Sequence, residues 1–317
     1  MTESQTTADV LMIRPVRFAG NLQTAESNRF QQLVGAPDSQ AIQAQALAEF
    51  DGLADALTQA GVRVHVFADT PEPHTPDSIF PNNWVSLHAD GTVVMYPMLA
   101  PNRRLERRLD IIEALNVRQN FHITRTVDLT HREAEGKFLE GTGSLVLDRR
   151  NRIAYACLSP RTDMDVLGEF AQLLDYEIVA FEAFDAGGAA IYHTNVLMSV
   201  GEHFAAVCRE CIEVDRRAPV IDMLRSSGRT VIELSYAQMH QFAGNMLELQ
   251  SQSGSSLIAM SAAARASLTP EQTAALERAA GPIVSSPIPI IEQFGGGSVR
   301  CMLAEVGLPR KKVTGVK

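Results

Sequence analysis

With 317 residues, 45% of them hydrophobic, the chain has ample material for a buried core and enough length for one large or two ordinary domains. Its 37 acidic against 28 basic residues leave a net charge of −9, and no basic run is long enough to track a phosphate backbone, which argues against nucleic acid as a partner. The start, "MTESQTTADV", lacks a basic stretch followed by an apolar one, and no window approaches the roughly 18 uninterrupted apolar residues of a membrane span, so the expectation is a soluble, cytoplasmic protein.

Taken in chain order, the predicted elements repeat. "VLMIRPVRF" (10–18) reads as a strand, "SQAIQAQALAEFDGLADALTQAG" (39–61) as an amphipathic helix and "VRVHVFA" (62–68) as a strand. Next come a hairpin around an Asp-Gly turn, "NWVSLHADGTVVMYPM" (83–98), a helix over 103–116 and a strand over 121–128. The order strand, strand, helix, strand returns in 144–159, 163–175 and 176–181, and again in 196–208, 215–228 and 230–235. A fourth copy follows in 255–268, 269–281 and 282–286, with Thr269 and Pro270 making a good helix start. The incomplete N-terminal unit gains its missing strand if "GGGSVRCMLAEV" returns beside it. Five such units closed on themselves leave no free sheet edge, so the expected architecture is a five-bladed α/β propeller with pseudo-fivefold repeats, formed by residues 1–317 as a single catalytic domain.

Just before each hairpin the sequence turns polar: "FPNNW" (80–84), "FLEGTGS" (138–144), "IYHTN" (191–195), "FAGNM" (242–246) and "GGGSVRC". Around a pseudo-fivefold axis these junctions converge, and Asn82, Asn83, Glu140, His193, Asn195, Asn245 and Cys301 would share one cavity. The other cysteines read differently. Cys157 alternates with apolar residues as packing would, and Cys208 and Cys211 form a lone CxxC without a second pair to complete a zinc site. Neither a phosphate-binding glycine loop nor a nucleophile elbow occurs, and the eight histidines lack ligand spacing. No metal or cofactor is called for. The expected partner is a small molecule, with neither nucleic acid nor membrane, and homodimerisation is left open.

"DSIFPNNW", "FLEGTGS", "YHTN" and "GGGSVRCM", in that order, resemble the superfamily of arginine deiminases, amidinotransferases and dimethylarginine dimethylaminohydrolases, whose fold is a five-bladed α/β propeller. The opening "RPVRFAGNLQTAESNRFQ" and the "PNNW" variant most resemble its citrulline utilization hydrolase branch. The resemblance implies Cys301 as nucleophile, His193 as general acid and base, and Glu140 as their partner. It also implies Asp77, Asn82, Asn83, Asn195, Asn21 and Asn245 at the substrate, with Arg161 in "CLSPRT" and Arg104 in "PNRRLE" as anchors for an amino-acid carboxylate. Where arginine deiminases carry two aspartates, this chain has Asn83 and Asn195. Amides suit a neutral ureido group better than a guanidinium cation, which implies hydrolysis of citrulline to ornithine, ammonia and carbon dioxide. The same pattern resembles arginine dihydrolases, so arginine and methylated arginines remain as alternatives, followed by amidino transfer and by a non-catalytic amino-acid-binding role.

Overall fold

The computed structural model describes residues 3–32 and 39–311. Five three-stranded sheets follow one plan: a short inner strand pairs antiparallel with a middle strand, a helix crosses over, and an outer strand pairs parallel with the middle one. In the sheet from Val85 to Asp128, Val85–Leu87 pairs with Thr92–Met95 through Leu87↔Val93, and Arg125–Asp128 joins on the other side through Val94↔Val127. One blade joins the chain's two ends. Its inner strand, Ala304–Glu305, runs antiparallel to Asp9–Arg14, which pairs in parallel with Arg63–Ala68. This is the five-bladed arrangement that the repeat predicts, and it sets the two most distant segments of the sequence side by side.

The crossover helices cover the sheets with one apolar face each. Ser39–Gln59 buries Ile42, Ala46, Phe50, Leu53 and Leu57, a three-to-four-residue spacing that keeps them on one stripe. Truncating fully buried Phe50 to alanine removes core contacts worth about 3–5 kcal/mol. Met164–Leu174 begins at Asp163, whose carboxylate accepts the Asp165 N–H, and buries Val166, Leu167, Phe170 and Leu174.

Three departures from the sequence expectation matter for the site. Four of the five junctions are not strand entries but single buried helical turns, Pro81–Asn83, Gly141–Ser144, Thr194–Leu197 and Val299–Met302, and the fifth, at 242–246, is a non-helical turn. The helix expected over 103–116 is split into a 3-10 turn, Pro101–Glu106, and an α-helix, Leu109–Val117. In a 3-10 turn residues three apart eclipse, and Arg103 and Glu106 use that alignment to pair on the buried side. The blade expected to start at 255 takes its inner strand earlier, from Leu247–Gln250, and the chain after Ser256–Ser261 turns helical at Ala262–Ser267, where the Ser261 hydroxyl accepts the Ala264 N–H. Among the described residues no helix is long and apolar enough to cross a membrane.

Candidate active site

Residues in or just before three of these turns, Phe80 and Asn83, His193 and Cys301, meet at one site. There a small cavity is lined by Asp77, Phe80, Asn83, Arg103, Arg161, Tyr192, His193 and Cys301, closed on one side by Asn28 and Gly295 to Gly297. Cys301 occupies the last of these turns, its backbone N–H bonded to the Ser298 carbonyl at 3.0 Å. The Asn28 amide donates to the carbonyls of Gly295 and Gly296 at 3.4 and 3.2 Å. Gly296 has φ +63°, and a Cβ there would lie 2.6 Å from the Asn28 amide nitrogen, so a side chain would both strain this wall and collide with its clamp.

His193 leads into the turn Thr194–Leu197, and its Nε2 lies 2.8 Å from Glu140 Oε2. Burial, opposed only in part by Glu140, pushes the His193 pKa down to about 4, so the ring is neutral near pH 7. Burial alone would raise Glu140, but Arg161, the hydrogen bond from His193 and Arg103 overcome it and hold the carboxyl well below the usual carboxylate range. A carboxylate can only accept, so Nε2 carries the proton and Nδ1 is left with its lone pair. Glu140 is itself fixed by the Leu99 N–H at 3.1 Å and by Arg161 Nη1 at 3.3 Å. The resting site therefore holds a proton acceptor backed by a fixed negative charge, and no imidazolium to stabilise a thiolate.

Two cavity-lining groups, Asp77 and Asn83, and two buried amides that do not line it, Asn82 and Asn245, have unsatisfied polar atoms. Asp77 receives the Asn21 amide at 2.8 Å on Oδ2, while its buried Oδ1 has no partner. Burial raises the Asp77 pKa, against the opposing pull of Arg103. Asn83 accepts from Arg103 Nη1 at 2.9 Å through Oδ1, and its Nδ2 has no partner. Asn82 is fully buried with neither side-chain atom paired, and the Asn245 Oδ1 is likewise unpaired. A methyl placed on Gly143 would lie 2.4 Å from Asn83 Nδ2 and 2.7 Å from His193 Nδ1, so both nitrogens border the space that this glycine leaves open.

The structure gathers most of the residues named from sequence, in three ranks. Asp77, Asn83, Arg161, His193 and Cys301 face the cavity. Glu140 and Asn21 stand one layer back, behind His193 and Asp77. Asn195 and Asn245 lie behind the sulfur: their Nδ2 atoms reach Cys301 Sγ at 3.4 and 3.2 Å, so they contact the nucleophile position and do not line the cavity. Arg104 does not join the group. Its guanidinium donates outward to the Met98 and Leu99 carbonyls and covers the Phe138 ring, because the eclipsed 3-10 geometry turns its neighbour inward instead. That neighbour, Arg103, is 2% exposed, forms a bidentate pair with Glu106 at 2.9 Å and lines the cavity. Sequence reasoning also missed Tyr192, whose ring lies beneath the Arg161 guanidinium and whose hydroxyl donates to the Gly296 carbonyl. The i,i+3 spacing of Arg103 and Glu106 was the available signal for the first; Tyr192 carried none beyond its position beside His193.

Away from the cavity, Cys208 and Cys211 are buried with their sulfurs 2.6 Å apart and Met239 Sδ at 3.2 Å from Cys211. Burial pushes the Cys157 thiol up to about 12, which suits packing. Among the described residues no three His, Cys, Asp or Glu side chains cluster to hold a metal ion.

Comparison with known proteins agrees with this arrangement. The family model for N,N dimethylarginine dimethylhydrolase, eukaryotic, matches residues 14–308. No curated protein matches. Among solved structures, apo ArgZ, an arginine dihydrolase from the ornithine-ammonia cycle in cyanobacteria, is 17% identical with a TM-score of 0.72, covering 96% of this chain and 41% of that one. An AgrE mutant in binary complex with L-arginine is 17% identical with a TM-score of 0.73, over 96% of this chain and 41% of that one. A dimethylarginine dimethylaminohydrolase carrying an adduct of S-methyl-L-thiocitrulline gives 16% identity and a TM-score of 0.63, over 96% and 100% of the two chains. The chain thus spans about two fifths of full-length ArgZ and AgrE, and at these identities the likeness shows the fold. With nearly its whole length matched and five three-stranded blades meeting at one polar cavity, the chain belongs to the N,N dimethylarginine dimethylhydrolase family, within the pentein superfamily of arginine deiminases and amidinotransferases.

Proposed function

We propose that the chain is a cysteine-dependent hydrolase of the ureido group of citrulline, releasing ornithine, ammonia and carbon dioxide. The observation that carries this reading is the orientation of Asn83. Arg103 has donors only, so the atom of Asn83 that faces it is the oxygen, and the amide N–H₂ of this cavity-lining residue is left without a hydrogen-bond partner. A donor there matches a ureido oxygen. A guanidinium, which has only N–H groups, would find a second donor opposite it. This replaces part of the sequence argument: Asn83 still supports a neutral substrate, but Asn195 contacts the sulfur and contributes nothing to that choice.

The chemistry follows from what a ureido carbon requires. Two nitrogens donate into its carbonyl, so it is a poor electrophile and needs a thiolate. Neutral His193 takes the Cys301 proton at Nδ1 as sulfur bonds to the carbon and the C=O electron pair moves to oxygen, toward the Asn83 amide. The imidazolium, stabilised by Glu140, then protonates a departing amine as the pair returns and one C–N bond breaks. Asp77 Oδ1 is placed to accept a ureido N–H. His193 next removes a proton from water, whose oxygen attacks the remaining S–C(=O) carbon; the C–S bond breaks, sulfur takes the proton back from His193, and the released carbamic acid splits into the second amine and carbon dioxide. Arg161, stacked on Tyr192, is the partner proposed for the amino-acid carboxylate, which would take the place of its present contacts with Ser27 and Thr24 while Glu140 keeps Nη1.

A second reading, arginine as substrate, is favoured by the family membership and by the likeness to ArgZ and AgrE. The deciding measurement is kcat/KM for citrulline, arginine and dimethylarginine by ornithine, citrulline and ammonia release. Citrulline should lead; a preference for arginine transfers the proposal to the second reading, and absence of turnover on all three ends both.

A further inference from the structure

We infer that Asn195 and Asn245 are positioning residues for the nucleophile, a pair of amide donors that hold the charge of Cys301 as it ionises. The inference rests on the reading of Cys301 as nucleophile. Asn195 sits in the turn that follows His193, Asn245 precedes the inner strand of a different blade, and Cys301 lies in the last turn of the chain, so three separate elements converge on one sulfur. The Asn245 amide nitrogen is 3.2 Å from Sγ and also donates to the Asn195 backbone carbonyl at 2.9 Å, which fixes its rotamer and aims its second hydrogen at sulfur. The Asn195 nitrogen completes the pair at 3.4 Å, while its Oδ1 accepts from the neutral thiol at 3.8 Å, a contact given up when the sulfur ionises. All three residues are at most 3% exposed, so water does not substitute for these donors.

The chemistry of the neighbours makes the pair necessary. The titratable and charged side chains that face Cys301 across the cavity are Asp77, Arg103, Arg161, Tyr192 and His193, with Glu140 behind His193. His193 is neutral at rest, and each arginine is already engaged, Arg103 by Glu106 and Asn83, Arg161 by Glu140 and Ser27. The adjacent Arg300 turns away to the Leu303 carbonyl and Glu305. The side-chain donors bonded to Sγ are the two amides. A hydrogen bond to an ionised acceptor is roughly twice as strong as one to a neutral acceptor, so the pair supports the negative charge that sulfur carries during attack. On ionisation the sulfur keeps the S–H electron pair and the proton passes to His193 Nδ1. An aspartate at either position would set a carboxylate oxygen against that sulfur and reverse the effect.

The test is the rate of iodoacetamide alkylation of Cys301 as a function of pH, with Cys301→Ala as blank, in wild type, Asn195→Ala, Asn245→Ala and the near-isosteric Asn195→Asp and Asn245→Asp. Each alanine should slow alkylation at pH 7 about tenfold and shift the half-maximal pH upward by about one unit, with a larger shift for aspartate. In turnover, kcat should fall with KM changed less than about threefold, since neither amide touches substrate. A purely packing role would lower thermal stability without moving the alkylation profile, and an unmoved profile in any variant that folds overturns the inference. Turnover that survives in Cys301→Ala instead removes the underlying function, so the two failures are distinct.

Discussion

Replacing Asn83 by aspartate changes one atom in the cavity and isolates the substrate question. The carboxylate keeps the 2.9 Å bond to Arg103, now as an ion pair, so the fold and the positions of Arg103 and Glu106 should hold. What changes is the atom now unpartnered, Nδ2, which becomes an oxygen beside the space over Gly143 that it shares with His193 Nδ1. For a ureido substrate this deletes a buried donor and leaves two acceptors opposed, at a cost of about 3 kcal/mol, the upper end of the range for an unsatisfied buried group. That corresponds to a loss of roughly 100-fold in kcat/KM for citrulline. Arginine should gain relative to citrulline, because the new oxygen accepts from its guanidinium. The assay is ornithine and citrulline release from each substrate, at fixed pH and salt, for both proteins. A loss for citrulline below about fivefold, or an unchanged citrulline-to-arginine ratio, would refute the assignment of Asn83 as the reader of a carbonyl oxygen.

Three further outcomes are expected. Cys301→Ala should abolish turnover while its melting temperature stays within a few degrees of wild type; residual hydrolysis above background would remove the covalent mechanism. Gly143→Ala should lower kcat/KM at least tenfold by crowding Asn83 and His193, whereas Gly168→Ala, at an open position of the helix Met164–Leu174, should leave activity untouched and stability equal or higher, read by kinetics and thermal melts side by side. The depressed His193 pKa ties stability to pH. Between its folded value of about 4 and the ordinary 6.5, the unfolded chain binds a proton that the folded chain excludes. Stability contributed by this group is thus complete above 6.5 and is lost as pH falls toward 4, by about 3 kcal/mol in all. Urea unfolding of wild type and His193→Gln over that range should show a shallower slope in the variant; parallel curves would contradict a neutral buried ring.

Much of this molecule is determined by local sequence. The repeat of hairpin, amphipathic helix and strand is written in period-two and three-to-four-residue apolar spacing, in the Asp-Gly turn at 90–91 and in the Thr269 cap, all of which act over a few residues and need no tertiary partner to be read. The polar junctions stood out for a similar reason: Asn82, Glu140, His193 and Cys301 interrupt runs that would otherwise continue as buried strands. Ranking those residues was a different problem. Whether Arg103 or Arg104 faces inward depends on a 3-10 turn that shifts the side-chain phase, and the adjacent residues are chemically identical. Whether an asparagine meets substrate or sulfur depends on distances between separate blades, and Asn83 and Asn195 differ only in which turn carries them. The charge of His193 is likewise a property of burial opposed by one carboxylate from a different blade, a balance set by packing across more than fifty residues of chain. Local patterning fixes the elements and brings polar residues to the junctions; only the arrangement of the five blades assigns most of them their partners, because the contacts of Arg103 with Asn83, of His193 with Glu140 and of the two amides with Cys301 join residues 20 or more positions apart.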